Sequence, residues 1–402
     1  MVKKVLKTFT ALILVAACLA GCGVSSSEKN DDSGRYSAEY YDCFDTVIVV
    51  TAYCDSQEEF DALSDQIHQK FLYYHKLFDI YHEYDGINNV CTINRAAGNG
   101  EDIKVAAELA DTVYLGLYMC NHTKDSVNIA MGSVLRLWHE ARETSLEDPE
   151  KAYIPDMEDL KAAAEHIDHK KVVLDLDNST VRLDDPEMSL DLGSIGKGYA
   201  VKLVAEWLGS EGKTGVLINA GGNVQAVGRK SSVKSADGKA LGDAWTVAVE
   251  NPVEGSTDLY ADTVLLEDRC LVTSGVDQRF FTYDGKRYHH IIDQQSLFPE
   301  NRYLSVSVIY TDSGCADALS TALFNMDIEE SKAFVEADPD LEALWILPGG
   351  NKTERKRYRA VKPGIHKATC CSRVAFFLYI WALYGDGSQY LAIRHSAKNA
   401  SR

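Results

Sequence analysis

The stretch "DLGSIGKGYAVKLVAEWL", Asp191 to Leu208, joins a glycine-punctuated turn to a helix. Gly193, Gly196 and Gly198 leave backbone N–H groups unobstructed where the helix begins, a setting that favours phosphate. Lys197 adds a fixed positive charge inside the turn. A turn of this composition is commonly only a turn, and its G-x-x-G-x-G spacing is not a Rossmann dinucleotide fingerprint.

Three further clusters lie downstream. "LINAGGNVQAVG" (Leu217 to Gly228) is a β-run into a Gly-Gly turn, and "LVTSGVDQRFFTYDGKRYHHIID" (Leu271 to Asp293) holds a Thr-Ser-Gly turn, a hairpin at Asp284-Gly285 and a double histidine. If the histidines sit on a strand, His289 and His290 face opposite ways and only one can serve a site. "CADALSTALFNM" (Cys315 to Met326) is helical, which puts Asp317 and Thr321 on one face. A carboxylate beside a hydroxyl is a hard, oxygen-only pair suited to magnesium. The same two residues also read as a helix-start Asp and a back-bonded Thr.

Strand and helix signals alternate without a repeat. Phe44 to Tyr53 is rich in β-branched residues and reads as a strand. Ser56 with Glu59 forms a capping box for an amphipathic helix whose apolar positions Phe60, Leu63, Ile67, Phe71, Tyr74 and Phe78 recur at three and four. Further helices are expected from Ile103 to about Met119, after Pro155, after Asp191 and from about Ala316 to Met326. Strands outnumber the helices between them, so the expected class is α+β, mixed sheets with flanking helices, rather than a doubly wound parallel sheet.

With 60 acidic against 41 basic side chains the net charge is -19, and the overall field repels nucleic acid. An anionic ligand must therefore be held by local dipoles, a lysine or a metal ion. Three lysines precede an apolar run from Phe9 to Ala20, which is too short to span a bilayer comfortably and reads as a secretory signal over residues 1–21. "LAGC", Leu19 to Cys22, looks like a lipobox, so the expected product is extracytoplasmic and lipid-anchored to a bacterial membrane through Cys22. Residues 22–40 read as a flexible tether, 41–350 as the globular domain and 351–402 as a tail of unknown role. Ten cysteines without a C-x-x-C do not form a disulfide framework, and the scattered ones read as small buried hydrophobes.

Taken together, five ordered blocks resemble the ApbE family of flavin transferases. The pattern D-x-G-[GAS]-I-[AG]-K-G-Y-A is met by Asp191 to Ala200, N-A-G-G by Asn219 to Gly222, T-S-G by Thr273 to Gly275, H-I-[IL]-D by His290 to Asp293 and D-A-L-[AS]-T by Asp317 to Thr321. The resemblance implies an ApbE-like fold and a magnesium-dependent enzyme that cleaves FAD, releases AMP and joins FMN through a phosphodiester to a threonine or serine hydroxyl. The acceptor is a partner flavoprotein or redox subunit. It implies Asp317, Thr321 and the Ser194 carbonyl as Mg2+ ligands and Lys197 at the flavin nucleotide's phosphates. His290 lines the FAD site with Ile291 and assists deprotonation of the acceptor, with Asp191 as the rival base. Early contacts would come from Phe44, Phe78, Ile80 and Tyr81, and from Asn128, which stands where the family carries an aspartate. Hydrolysis of FAD to FMN and AMP, and flavin binding without chemistry, are the competing readings.

Overall fold

The computed structural model describes residues 34–231 and 242–348, together with the backbone of two short strands, 27–29 and 353–354. The signal segment, Cys22 and residues 355–402 lie outside the described residues. At the centre is a sheet of nine strands, antiparallel throughout, in the order β1-β2-β3-β7-β8-β11-β14-β15-β16. Here β1 is Ser27–Lys29, β2 Arg35–Cys43, β3 Thr46–Tyr53, β7 Val216–Ala220, β8 Asn223–Val227, β11 Cys270–Gly275, β14 Ser305–Tyr310, β15 Glu342–Ile346 and β16 Thr353–Glu354. The α+β class is as expected.

Three long helices cover one face. Gln57–Phe78 packs on β2 and β3, Gly196–Ser210 on β7 and β8, and Ser313–Asn325 on β11 and β14. The first begins where the capping box predicts, with the Ser56 hydroxyl accepting the Glu59 N–H at 3.1 Å. All six of its expected apolar positions are buried, because residues at a 3.6 period share the stripe that meets the sheet. The Gly196–Ser210 and Ser313–Asn325 helices approach so closely that a Cβ on Gly198 would lie 2.2 Å from the Ser313 carbonyl oxygen and 2.5 Å from Asp317 Cβ. Only glycine allows that contact.

Two hairpins and a helical layer surround one end of the sheet. Strands β9 (Trp245–Glu250) and β10 (Tyr260–Leu266) pack Trp245, Val249 and Leu266 on the second sheet face against Val224, Ala226 and Leu271. Strands β12 (Phe280–Tyr283) and β13 (Lys286–His289) pair through the predicted Asp284-Gly285 turn, where both residues have positive φ, 47° and 70°. Phe281 and Ile292 share a small core with Val134 and Trp138 of the Gly132–Glu147 helix.

Several boundaries differ from expectation. The tether expected to reach residue 40 gives way at Arg35 to β2, whose Tyr36, Ala38 and Tyr40 alternate into the core. Phe44 and Asp45 form the β2–β3 turn with φ of 57° and 50°, so β3 starts at Thr46. Ile103 and Lys104 form a short strand, β4, pairing Val181 and Thr180, and the helix there runs Ala107–His122. The β-branched isoleucine favours the edge pairing over the helix start. Five of the six cysteines among the described residues are buried, as expected of small hydrophobes.

Candidate active site

A cleft of about 630 Å³ opens where the β2–β3 and β7–β8 turns meet β9, the β12–β13 hairpin and the Gly132–Glu147 helix. All five sequence blocks line it, the fifth through Thr321, with Asp317 of the same block buried beneath. The β7–β8 turn is built by Gly221 and Gly222, with φ of 55° and 90°, conformations that side chains other than glycine rarely adopt.

Asp317 sits where the two close helices touch. Its Oδ2 accepts the Gly198 N–H at 2.8 Å and its Oδ1 has only a long contact, 3.4 Å, with Asn223 Nδ2. Burial pushes this carboxyl up, an effect opposed by the Lys197 charge and the Gly198 hydrogen bond. The helix-start reading of Asp317 fails, because Asp312 is the cap and accepts the Cys315 N–H at 2.9 Å. Thr321 Oγ1 meets Ser274 Oγ at 3.4 Å, and Ser274 also meets Ser320 Oγ at 2.8 Å, so the Thr-Ser-Gly block steadies the helix face below the cleft.

The glycine turn works differently from the phosphate cradle read in the sequence. Gly193 N–H donates to Asp191 Oδ1 at 2.7 Å, Gly196 N–H to the Leu192 carbonyl at 2.7 Å and Gly198 N–H to Asp317. These three amides are engaged within the protein, so the turn orients two carboxylates while Lys197 and Ser194 face the cleft. Burial also raises the Asp191 carboxyl, against the opposing pull of Arg279, His139 and Lys197.

The adjacent histidines divide as the strand alternation requires. His289 is buried, accepts the Ile291 N–H at Nδ1 (3.2 Å) and donates from Nε2 to the Glu300 carbonyl (2.6 Å). Both ring nitrogens are satisfied by the neutral form, and burial brings its pKa down to about 4. His290 faces the cleft, and its Nδ1 lies 3.2 Å from the Arg279 carbonyl, which can only accept. That contact places the proton on Nδ1 and leaves the Nε2 lone pair available. Crowding in the cleft, then the Lys197 and Arg279 charges, hold its imidazole well below the ordinary value.

Of the other expected residues, Tyr81 and Ile291 line the cleft, with the Tyr81 ring 5.0 Å from that of His139. Phe78 is buried in the main core, and the half-buried Phe44 and Ile80 pack against it. Asn128 borders the cleft with its amide committed. Nδ2 donates to the Ile167 carbonyl (2.9 Å) and Gln294 Oε1 (2.8 Å), and Oδ1 accepts the Ala130 N–H (2.8 Å). It pins the cleft wall, which differs from the expected contact with adenine or ribose.

Three cleft residues were missed in the sequence. Arg279 donates from Nη2 to the Phe44 carbonyl at 3.0 Å, clasping the left-handed β2–β3 turn. His139 and Arg142 project from the Gly132–Glu147 helix, which buries Val134, Trp138 and Ala141 on a neighbouring stripe. The recurrence Leu135, His139, Arg142 at four and three was the available signal. With Lys197, Arg142 and Arg279 place three fixed positive charges in a cleft that also holds Asp45, Asp191, Glu250 and Asp277, in a chain of net charge -19.

The donor set suits a hard cation. Asp317 Oδ1 is weakly engaged, the neighbouring Asn223 Oδ1 is buried without a hydrogen-bond partner, and Thr321 and Ser194 border the same floor.

The ApbE family model matches residues 44–345. The chain is similar to the FAD:protein FMN transferase of Treponema pallidum, with 33% identity over 266 residues that cover 64% of this chain and 70% of the relative. It is also similar to the FAD:protein FMN transferase of Klebsiella pneumoniae, with 28% identity covering 73% and 90%. Among solved structures, the ApbE protein of Thermotoga maritima is similar at a TM-score of 0.65 and 25% identity, covering 83% of this chain and 97% of that one. The flavin transferase ApbE from Vibrio cholerae shares the fold at a TM-score of 0.60 and 23% identity, covering 81% and 94%.

Proposed function

Because the chain belongs to the ApbE family, we propose that it is an FAD:protein FMN transferase, moving FMN from FAD to a hydroxyl of an acceptor protein and releasing AMP. The observation that carries this reading is the convergence of Asp191, Lys197, His290 and Thr321 on one cleft above the buried Asp317. Lys197, Arg142 and Arg279 offset the negative charge of a dinucleotide that the molecule as a whole repels. Aromatic surface for the ring systems comes from Tyr81 and from the stacked pair Phe281 and Tyr288, whose centroids are 5.5 Å apart.

Asp317, Thr321 and Ser194 would hold Mg2+. Bound there, the ion supplies charge neutralisation at a pyrophosphate. His290 Nε2, left as an acceptor by the Nδ1 bond to Arg279, takes the proton of the acceptor hydroxyl. The hydroxyl oxygen bonds to the FMN phosphorus, the phosphoanhydride bond breaks, and AMP leaves with the bridging oxygen. Asp191, whose Oδ1 is held by Gly193, is the second candidate base. In this reading the lipobox-like Leu19 to Cys22 anchors the protein outside the cytoplasmic membrane, and Cys22→Ser should shift it from the membrane to the soluble fraction.

The test is the product pattern from FAD with Mg2+, with and without an extracytoplasmic acceptor. Transfer gives AMP in step with covalent, fluorescent flavin on the acceptor, whereas hydrolysis gives free FMN and AMP without it. Asp317→Asn should lower transfer about 10²–10³-fold, the scale of losing one charged stabiliser of a transition state. Full turnover in a folded Asp317→Asn protein would refute the assignment of that carboxylate.

A further inference from the structure

Behind the cleft wall, on the far side of Asn128, lies a second cavity of about 450 Å³ bordered by Asp125, Ile167, His169 and Gln294. Asn128 bridges the two spaces through its bonds to Ile167 and Gln294. At the edge of this cavity, ligand atoms of Cys120, Asp125 and His169 all lie within 4.8 Å of one another. They are brought together by the last turn of the Ala107–His122 helix, the turn that follows it, where Lys124 and Asp125 have φ of 51° and 63°, and the short helix His169–Lys171.

The hydrogen bonds around His169 set its protons. Asn121 Nδ2 donates to the Leu117 carbonyl at 2.9 Å, which turns Asn121 Oδ1 toward His169 Nε2 at 3.3 Å. An amide oxygen only accepts, so Nε2 carries a proton, and in the neutral ring Nδ1 offers a lone pair. That lone pair lies 2.9 Å from Asp125 Oδ1, an atom that is buried and accepts no hydrogen bond. A cation belongs between two such atoms, either the second proton of an imidazolium paired with Asp125 or a metal ion. Cys120 Sγ is the third donor. As a thiol it makes a long contact, 3.7 Å, to Asn128 Oδ1, and the sulfur also accepts from the Ile129 backbone. A ring nitrogen oriented by an outer amide is the usual support of a metal-binding histidine.

Among the described residues the other triad of this kind, Asp42, Cys43 and His68, differs in a decisive way. There His68 Nε2 makes a true hydrogen bond of 2.7 Å to Asp42 Oδ1, and the Cys43 thiol donates to the same oxygen. Its donors are satisfied without a metal.

We propose that Cys120, Asp125 and His169 form a Zn2+ site, with the fourth coordination position facing the 450 Å³ cavity. Sulfur, nitrogen and one carboxylate oxygen match the ligand preference of zinc, and three protein ligands leave a position for water. Binding replaces the thiol proton of Cys120, which is released to solvent. The ion ties the turn before Asn128 to the His169 segment, so it fixes the wall that both cavities share.

The test uses the full chain with Cys370→Ser and Cys371→Ser, which removes the thiols of the tail, stripped of metal and supplied with excess Mg2+. Titration should show one tight equivalent of Zn2+, and Co2+ in its place should give a thiolate-to-cobalt charge-transfer band in the near ultraviolet. Cys120→Ser should abolish the band and His169→Gln should weaken Zn2+ binding about 100-fold or more, whereas His68→Gln and Asp317→Asn should leave both intact. No tight Zn2+ binding, no thiolate band, or binding lost in His68→Gln but kept in His169→Gln would overturn the proposal. Should the variants fail to fold, the parent protein's titration and cobalt spectrum decide it.

Discussion

Gly198→Ala tests the helix contact that carries Asp317. The added methyl would sit 2.2 Å from the Ser313 carbonyl oxygen and 2.5 Å from Asp317 Cβ, against an ordinary contact of 3.4 Å or more. Both obstacles are fixed by a helix backbone, so the helices must part by about 1 Å; overpacking of this kind costs about 1–3 kcal/mol. Separation also stretches the 2.8 Å bond from Gly198 N–H to Asp317, and a hydrogen bond to a charged group contributes about 1.5–3 kcal/mol. A loss of about 3 kcal/mol lowers Tm by roughly 5 °C in a domain of this size. Turnover should fall with it, because the carboxylate moves relative to Thr321. Gly209→Ala is the control, since it lies in the same helix with nothing within 4 Å of its Cβ position. There alanine should be neutral or stabilising by up to about 1 kcal/mol. Thermal unfolding by circular dichroism and FAD turnover measure both variants. A Gly198→Ala protein with Tm within about 2 °C of the parent and unchanged turnover would refute the close-contact argument.

His289 should make the fold acid-sensitive. Its pKa is about 4 in the fold and about 6.5 in the unfolded chain, so below pH 6.5 the unfolded chain takes up a proton that the native state refuses, and stability falls until about pH 4. At about 1.4 kcal/mol per pH unit, the gap amounts to about 3 kcal/mol. Urea titrations at pH 6.5 and 4 should show His289→Gln losing that much less than the parent, and equal slopes would count against the buried neutral ring. Lys197→Met removes a charge that opposes protonation of His290, so the acid limb of kcat/KM should move to higher pH while the rate falls about 10²-fold. A limb left in place would mean that the base does not sense Lys197, and His290→Gln separates the bases, since the limb survives only if Asp191 carries it.

Much of this was legible because it depends on local chemistry. The Ser56 cap and the stripe from Phe60 to Phe78 fix the first helix, and the alternation at His289 and His290 assigns one ring to each side. What failed depended on contacts distant in sequence. Gly198 reads as a bare amide until the Ser313–Asn325 helix arrives 119 residues later to accept its hydrogen. Asn128 reads as a ligand contact until Ile167 and Gln294 consume its amide. Phe78 ends an apolar stripe, and its burial was already written in that periodicity, against the ligand role the motif resemblance implied. Arg279 showed no local pattern, because its partner is a turn formed 234 residues earlier by Asp45 and its neighbour.

The Asp284-Gly285 turn sets which of two neighbouring imidazoles meets the ligand. Deleting one residue there would slide β13 by a step, sending His290 inward among apolar neighbours and His289 out into the cleft without the Arg279 carbonyl to fix its tautomer. Length at this exposed hairpin tip, where the side chains themselves touch nothing of the cleft, is therefore a chemical variable, and natural or engineered changes there should come in pairs.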